Sequence, residues 1–172
     1  MPEKKFDKTV WIKLLLIFII LADAVFIFVN SSQNAETSAG KSGKLVEIIL
    51  RLTHPDFDSL TESEKTAIFS ELDGKIRSAA HFIEYVPIGF CGTLLLLLCL
   101  GLSEKSLICS SGVLVFGAIY AISDEIHQGF TDGRASEVGD VILDSCGCLF
   151  GIGLAFAVYL LFRSVFRRNK KE

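Results

Sequence analysis

The chain has 172 residues, 51% of them hydrophobic before its 14 glycines are counted, with a mean hydropathy of +0.50 and a formal net charge of −3. Ordinary soluble domains reach only about 45–50% apolar residues with glycine included, so composition argues against a purely soluble fold. An acidic chain of this kind lacks the basic face a nucleic-acid binder needs, and no nucleic-acid partner is expected. Charged residues still make up 22%, so the apolar excess must be gathered into blocks. Five cysteines, an odd number without a CxxC pair, all fall in apolar stretches, which excludes a disulfide scaffold or a zinc ribbon.

About 20 apolar residues of helix cross a bilayer core of about 30 Å, and four runs meet that length. They predict spans over 11–30, 82–103, 106–126 and 138–163, joined by an outer connection over 31–80. From Leu14 to Val29 the first run contains one charge, Asp23, expected to face the bundle interior with a partner on another span. It is read as a retained helix rather than a cleaved signal peptide, because it exceeds the usual apolar core of such peptides. Spans two and three, separated by Glu104 and Lys105, read as a tight helical hairpin.

In the outer connection, Asn30 to Gly43 is small and polar and reads as a loop. Leu45, Ile48, Ile49 and Leu52 then mark one stripe of a short amphipathic helix, with Glu47 and Arg51 paired one turn apart, set on the membrane surface or against the bundle. His54, Pro55 and Asp56 break it; no second histidine or cysteine at ligand spacing suggests a metal there. Thr61 and Glu64 form a capping box opening a second helix that runs toward span two, with a possible weak point at Gly74.

Lysine and arginine fix the expected orientation. Four lie within residues 1–13 and five within 163–172, whereas residues 123–144 carry six acids against Arg134 alone. Both termini are therefore expected in the cytoplasm, with the 31–80 and 123–140 connections outside. The fold class is an all-α integral membrane protein, a four-helix bundle forming one membrane domain over 1–172 in the cell membrane.

The informative residues gather at the outer ends of the spans. Arg77, His81, Glu84 and Tyr85 share a stripe at the start of span two. At the end of span three, Tyr120, Asp124 and His127 share one face, with Glu125 and Gln128 paired on the next. Beyond an Asp132-Gly133 turn come Arg134, Ser136 as an N-cap, and Asp140 and Asp144 leading into Gly147 and Gly151, whose spacing admits a close helix neighbour.

Charge at a membrane face must pair, line a wet cavity or do chemistry. A structural reading makes these groups an ion-paired plug that fixes helix register. A binding reading makes Arg77, His81, Glu84, Tyr85, Asp124, Glu125, Gln128, Arg134 and Asp140 a pocket for an anion, since the arginine fork suits phosphate or carboxylate. An enzymatic reading draws acid/base candidates from Glu84, Asp124, Glu125 and His127. No P-loop, dinucleotide fingerprint, HExxH motif or nucleophile elbow occurs, so no cofactor and no metal is expected. A hard divalent cation held by Glu84, Asp124, Glu125 and the histidines has no specific motif behind it.

Three stretches carry a family resemblance: FVNSSQ from Phe28 to Gln33, RSAAHFIEY from Arg77 to Tyr85, and SDEIHQGF from Ser123 to Phe130, continuing through Arg134 and Asp140 to Asp144 and Gly147. On these residues the chain resembles the VanZ-like family of small membrane proteins. The resemblance implies a bacterial cell-envelope protein, linked through the founding member to resistance against the glycopeptide teicoplanin. The partners expected from the spans and the polar pocket are the lipid bilayer and a cell-wall precursor or anionic lipid head group. The alternative is a membrane-embedded enzyme acting on a lipid-linked or phosphorylated envelope substrate. The retained first span is checked by N-terminal sequencing of the mature protein, which is expected to give the residues preceding Leu14 rather than a start near Ala35.

Overall fold

A computed structural model describes residues 8–53 and 59–168, with side chains described for 9–34, 43–53 and 59–164. The break at His54 to Asp56 lies outside the described residues, as do Lys4, Lys5, Lys170 and Lys171. The described chain forms five helices in the order α1 (Lys8–Ser31), α2 (Ala35–Thr53), α3 (Glu62–Leu100), α4 (Glu104–Gln128) and α5 (Val138–Arg168). All but α2 are long and apolar enough to cross a membrane. Only 11% of the most apolar window of α1 is buried, and Leu14, Phe18, Leu21 and Val25 are exposed. Such a surface is stable against lipid and costly against water.

Helix α3 has 39 residues. At 1.5 Å per residue it is about 58 Å long, nearly twice a bilayer core. Its first half, charged at Glu62, Glu64, Lys65, Glu71, Asp73 and Lys75, therefore extends beyond the apolar bundle. The expected capping box is present: Thr61 accepts from the Glu64 N–H, and the Glu64 carboxylate accepts from the Thr61 N–H at 2.9 Å. The helix then continues unbroken through Gly74 and Pro87.

Helix α2 packs on this extension and corrects two expectations. The loop over Asn30 to Gly43 shrinks to three residues, because α2 already begins at Ala35. Serine and glycine weaken a helix by no more than about 1 kcal/mol each and do not forbid one, and the segment behind them is anchored on α3. The anchoring residues are also not the expected stripe. Val46 and Leu50 are buried, and the Phe69 ring lies against Gly43, while Leu45, Ile48 and Leu52 stay exposed. The Arg51–Glu47 pair forms as expected, at 2.9 Å.

The α3–α4 hairpin turns earlier than the charge pattern suggested. Gly101 adopts φ 67 and its N–H bonds to the Leu97 carbonyl, while Ser103 and Ser106 form a reciprocal cap that starts α4. Glu104 and Lys105 thus lie in the first turn of α4; a glycine with positive φ and a serine cap set the break, not the charges.

Helix α3 is the hub, packing against each of the other four and most extensively against α5. A Cβ on Gly147 would meet the Phe82 carbonyl oxygen at 2.0 Å, and one on Gly151 the Val86 oxygen at 2.2 Å. The expected small-residue stripe is therefore a backbone-to-backbone contact. Ile27, Tyr85, Ile88, Ala121, Cys148 and Ile152 form the core around it. Because the four long helices alternate in direction, the start of α1 and the end of α5 share one end of the bundle with the α3–α4 turn, and the polar residues share the other.

Gly147→Ala is expected to destabilise the protein by about 1–3 kcal/mol despite the better helix propensity of alanine. Gly153→Ala, where nothing lies within 4 Å of the new Cβ, is expected to stabilise by up to about 1 kcal/mol. Thermal unfolding of both variants in one detergent checks the contrast.

Candidate functional site

The polar end of the bundle is organised by the last turn of α1. Asn30 donates from Nδ2 to Glu84 Oε1 at 3.0 Å, Ser31 donates to Asp124 Oδ1 at 2.5 Å, and Ser32 Oγ hydrogen-bonds His127 Nε2 at 3.0 Å. One turn and a half lower, the Tyr120 hydroxyl donates to the Ala24 carbonyl at 2.6 Å. Tyr120, Asp124 and His127, the shared face read from their spacing, thus form one seam with α1. Asp124 is buried and doubly satisfied, its Oδ2 accepting from Gln128 Nε2 at 2.9 Å. Gln128 therefore pairs with Asp124 and not with Glu125, as its spacing of four residues allows. His127 stacks on Phe28 with ring centroids 4.6 Å apart.

Between α1, α3, α4 and the α4–α5 connection lies a cavity of about 260 Å³. Arg77, His81, Glu84, Asp124, Gln128 and Arg134 supply its charged and polar wall, joined by Asn30, Ser31 and Gln33 from α1. Arg134 reaches it from a turn in which its N–H bonds the Thr131 carbonyl at 3.1 Å and Gly133 takes φ 75, as the Asp132-Gly133 pair predicted. Burial, and then the guanidinium of Arg77, hold Arg134 below the ordinary arginine pKa, while Asp124, Glu125 and Glu84 act in the opposite sense. Two cations and several acids therefore act on one half-open volume.

A second cluster adjoins the cavity at His81. Its Nδ1 meets Asp144 Oδ1 at 3.2 Å and its Nε2 lies 3.5 Å from Asp140 Oδ2. Glu125, buried on α4, comes up to the same place: one ring nitrogen of His81 and one carboxylate oxygen from each of Glu125 and Asp140 lie within 4.8 Å of one another. Glu125 also ties down the connection to α5. Its Oε2 accepts from the Glu137 N–H at 2.8 Å, and its backbone carbonyl accepts from Ser136 Oγ at 2.6 Å. Ser136 is consequently engaged by α4 and does not cap α5, which begins at Val138.

Six of the expected site residues line the cavity: Arg77, His81, Glu84, Asp124, Gln128 and Arg134. Glu125 and Asp140 gather around His81 instead, and His127 faces α1. Tyr85 is fully buried in the core, its hydroxyl without a hydrogen-bond partner among the described residues. The stripe of Arg77, His81, Glu84 and Tyr85 is wide enough that its last member turns from the cavity to the core. Asp23 is half-buried, and its Oδ2 has no hydrogen-bond partner among the described residues, so the expected partner on another span is not met at that atom.

Sequence reasoning left Asn30, Ser31 and Gln33 out of the site, although their signal was a polar run immediately after an apolar helix. It also left Asp144 out of the site, although Asp144 lies one turn beyond Asp140 and is fully buried.

The VanZ/LLP1 family matches residues 14–163, and the chain belongs to that family. No curated protein and no solved structure matches it.

Removing the Ser31 hydroxyl leaves a buried carboxylate oxygen without its donor. Ser31→Ala is expected to lower stability by about 1–3 kcal/mol. Ser32→Ala, facing a half-buried histidine at the edge of the bundle, is expected to cost about 0.5 kcal/mol or less. Thermal unfolding in detergent of the two single variants checks the order.

Proposed function

We propose that this member of the VanZ/LLP1 family is a cell-envelope membrane protein whose polar cavity binds an anionic group, the phosphate or carboxylate of a cell-wall precursor or lipid head group. Through that binding it contributes to glycopeptide resistance of the teicoplanin type. The reading places the cavity at the extracytoplasmic face and both termini in the cytoplasm. It is supported by the nine basic residues near the ends of the sequence, of which the described Lys8 and Lys13 on α1 and Arg163, Arg167 and Arg168 on α5 belong to the helix ends away from the cavity.

The observation that carries the proposal is that Arg77 and Arg134 share one cavity wall, where the Arg77 guanidinium adds to burial in holding Arg134 below the ordinary arginine range. Two guanidinium groups brought together at cost are stabilised by an anion between them, and their planar forks suit a tetrahedral or carboxylate oxyanion. A volume of about 260 Å³ accepts a head group rather than a whole glycopeptide, whose bulk must stay outside. The ligand chain would then lie along the apolar helices while its charged end enters the cavity.

A second reading is favoured by the carboxylates of Glu84 and Asp124, which line the same wall as the arginines. Acid/base chemistry on a phosphorylated or lipid-linked envelope substrate needs carboxylates beside an anion holder. Glu84→Gln separates the two readings, because glutamine keeps the shape and the acceptor for Asn30 but loses proton transfer.

For binding, the protein in nanodiscs is titrated with a short-chain polyprenyl monophosphate. Arg134→Lys and Arg77→Gln are each expected to weaken binding about tenfold or more. Parental affinity in both variants overturns the proposal. In a teicoplanin-sensitive Gram-positive host, Glu84→Gln is expected to retain the resistance phenotype that Arg134→Lys loses; loss in Glu84→Gln with normal folding favours the enzymatic reading.

A further inference from the structure

The cluster behind the cavity holds more acid than its neighbours neutralise. His81 sits among Asp140, Asp144 and Glu125, and all three carboxylates approach a single imidazole. Asp144 is fully buried and Glu125 is 4% exposed. Each has a side-chain oxygen, Oδ2 of Asp144 and Oε1 of Glu125, that is buried with no hydrogen-bond partner among the described residues. Leaving a buried acceptor unsatisfied costs about 1–3 kcal/mol, and more for a charged group. A protonated His81 between Asp140 and Asp144 accounts for one positive charge and leaves Glu125 outside the account.

The geometry fits a metal ion better than a hydrogen-bonded pair. His81 Nε2 and Asp140 Oδ2 are 3.5 Å apart, at the limit of hydrogen bonding. Ligand atoms about 2.1 Å from a tetrahedral cation stand about 3.4 Å from one another. The His81 ring is already oriented as a ligand would be. Its Nδ1 is held by Asp144 at 3.2 Å, the carboxylate–histidine arrangement that fixes the ring and leaves Nε2 with the lone pair. The Glu125 carboxylate is held in turn by the Glu137 N–H, so a ligating group from each of three helices is positioned before any ion arrives. His81 also belongs to the cavity wall, which gives an ion a route in.

We propose that His81, Glu125 and Asp140 form a binding site for one first-row divalent cation of the Zn²⁺ or Mn²⁺ class, with Asp144 as the residue that positions His81. One imidazole nitrogen and two carboxylates select such ions over alkali cations, and three protein ligands leave a coordination position facing the cavity. The inference does not rest on the anion reading, since neither Arg77 nor Arg134 takes part. A cation there would supply a further positive centre for an oxyanion in the cavity.

The test uses the full-length protein in detergent, stripped with a chelator and titrated with Zn²⁺ and separately with Mn²⁺, with stoichiometry read by elemental analysis. One ion per chain is expected for at least one of the two metals. Glu125→Gln and His81→Gln are expected to abolish it, and Asp144→Asn to weaken it about 10–100-fold through the ring orientation. Gel-filtration elution and helical circular dichroism identify variants that fail to fold. Should His81→Gln misfold, the isosteric Glu125→Gln carries the comparison. No bound ion on the folded parent overturns the proposal, and so does parental affinity in folded Glu125→Gln. One ion bound per chain while Arg134→Lys and Arg77→Gln both keep parental affinity for the polyprenyl phosphate would keep this site and confine the failure to the anion reading.

Discussion

The close approach of α3 and α5 is the contact on which the polar end of the molecule depends. With Gly147 seated on the Phe82 carbonyl and Gly151 on that of Val86, the two helices meet at backbone distance and their register is set without side chains between them. One turn before Gly147, Asp144 must then fall beside His81, and Asp140 one further turn out reaches the other nitrogen of the same ring. In a bilayer there is no hydrophobic force between helices to hold this arrangement, so small residues and van der Waals contact carry it. The carboxylates are inserted against their own desolvation cost because the glycines beneath them are packed.

Helix α1 completes the site in a different way. Most of its surface faces lipid, and it joins the bundle through a short polar seam: Tyr120 to the Ala24 carbonyl, Ser31 to Asp124, Ser32 to His127 and Asn30 to Glu84. Hydrogen bonds of this kind substitute for the water that the acids would otherwise lack. They also separate roles among residues that look alike in sequence. Asp124 is saturated by two donors, whereas Glu125, the next residue, keeps one oxygen without a partner and turns toward His81 and α5.

These two devices leave a small, half-open volume in which arginines from α3 and from the α4–α5 connection oppose acids from α3 and α4. Membership of the VanZ/LLP1 family places such a site in a membrane protein, and the proposed anion and cation sites share His81 as a common wall. An oxyanion held by two guanidinium groups and a neighbouring cation is an economical use of charge that is otherwise costly to bury.

The four spans, the Thr61 capping box, the turn at Asp132-Gly133 and the stripes that carry the polar groups were legible in the amino-acid order, because each depends on residues that follow one another within a single segment. Hydropathy over about 20 residues and the 3.6-residue period are local quantities. Six cavity residues followed from those stripes. The failures were also local: small polar residues after Asn30 look like a loop until α3 supplies a surface for Val46 and Leu50, and Tyr85 shares a stripe with Glu84 yet belongs to the core. Only the tertiary structure decided which faces meet. The bonds that build the site join residues 54, 63 and 93 positions apart, and no period in the sequence encodes them. The α3–α5 glycine contact brings Asp144 and Asp140 to His81, and the polar seam along α1 assigns Asn30 and Ser31 to the site.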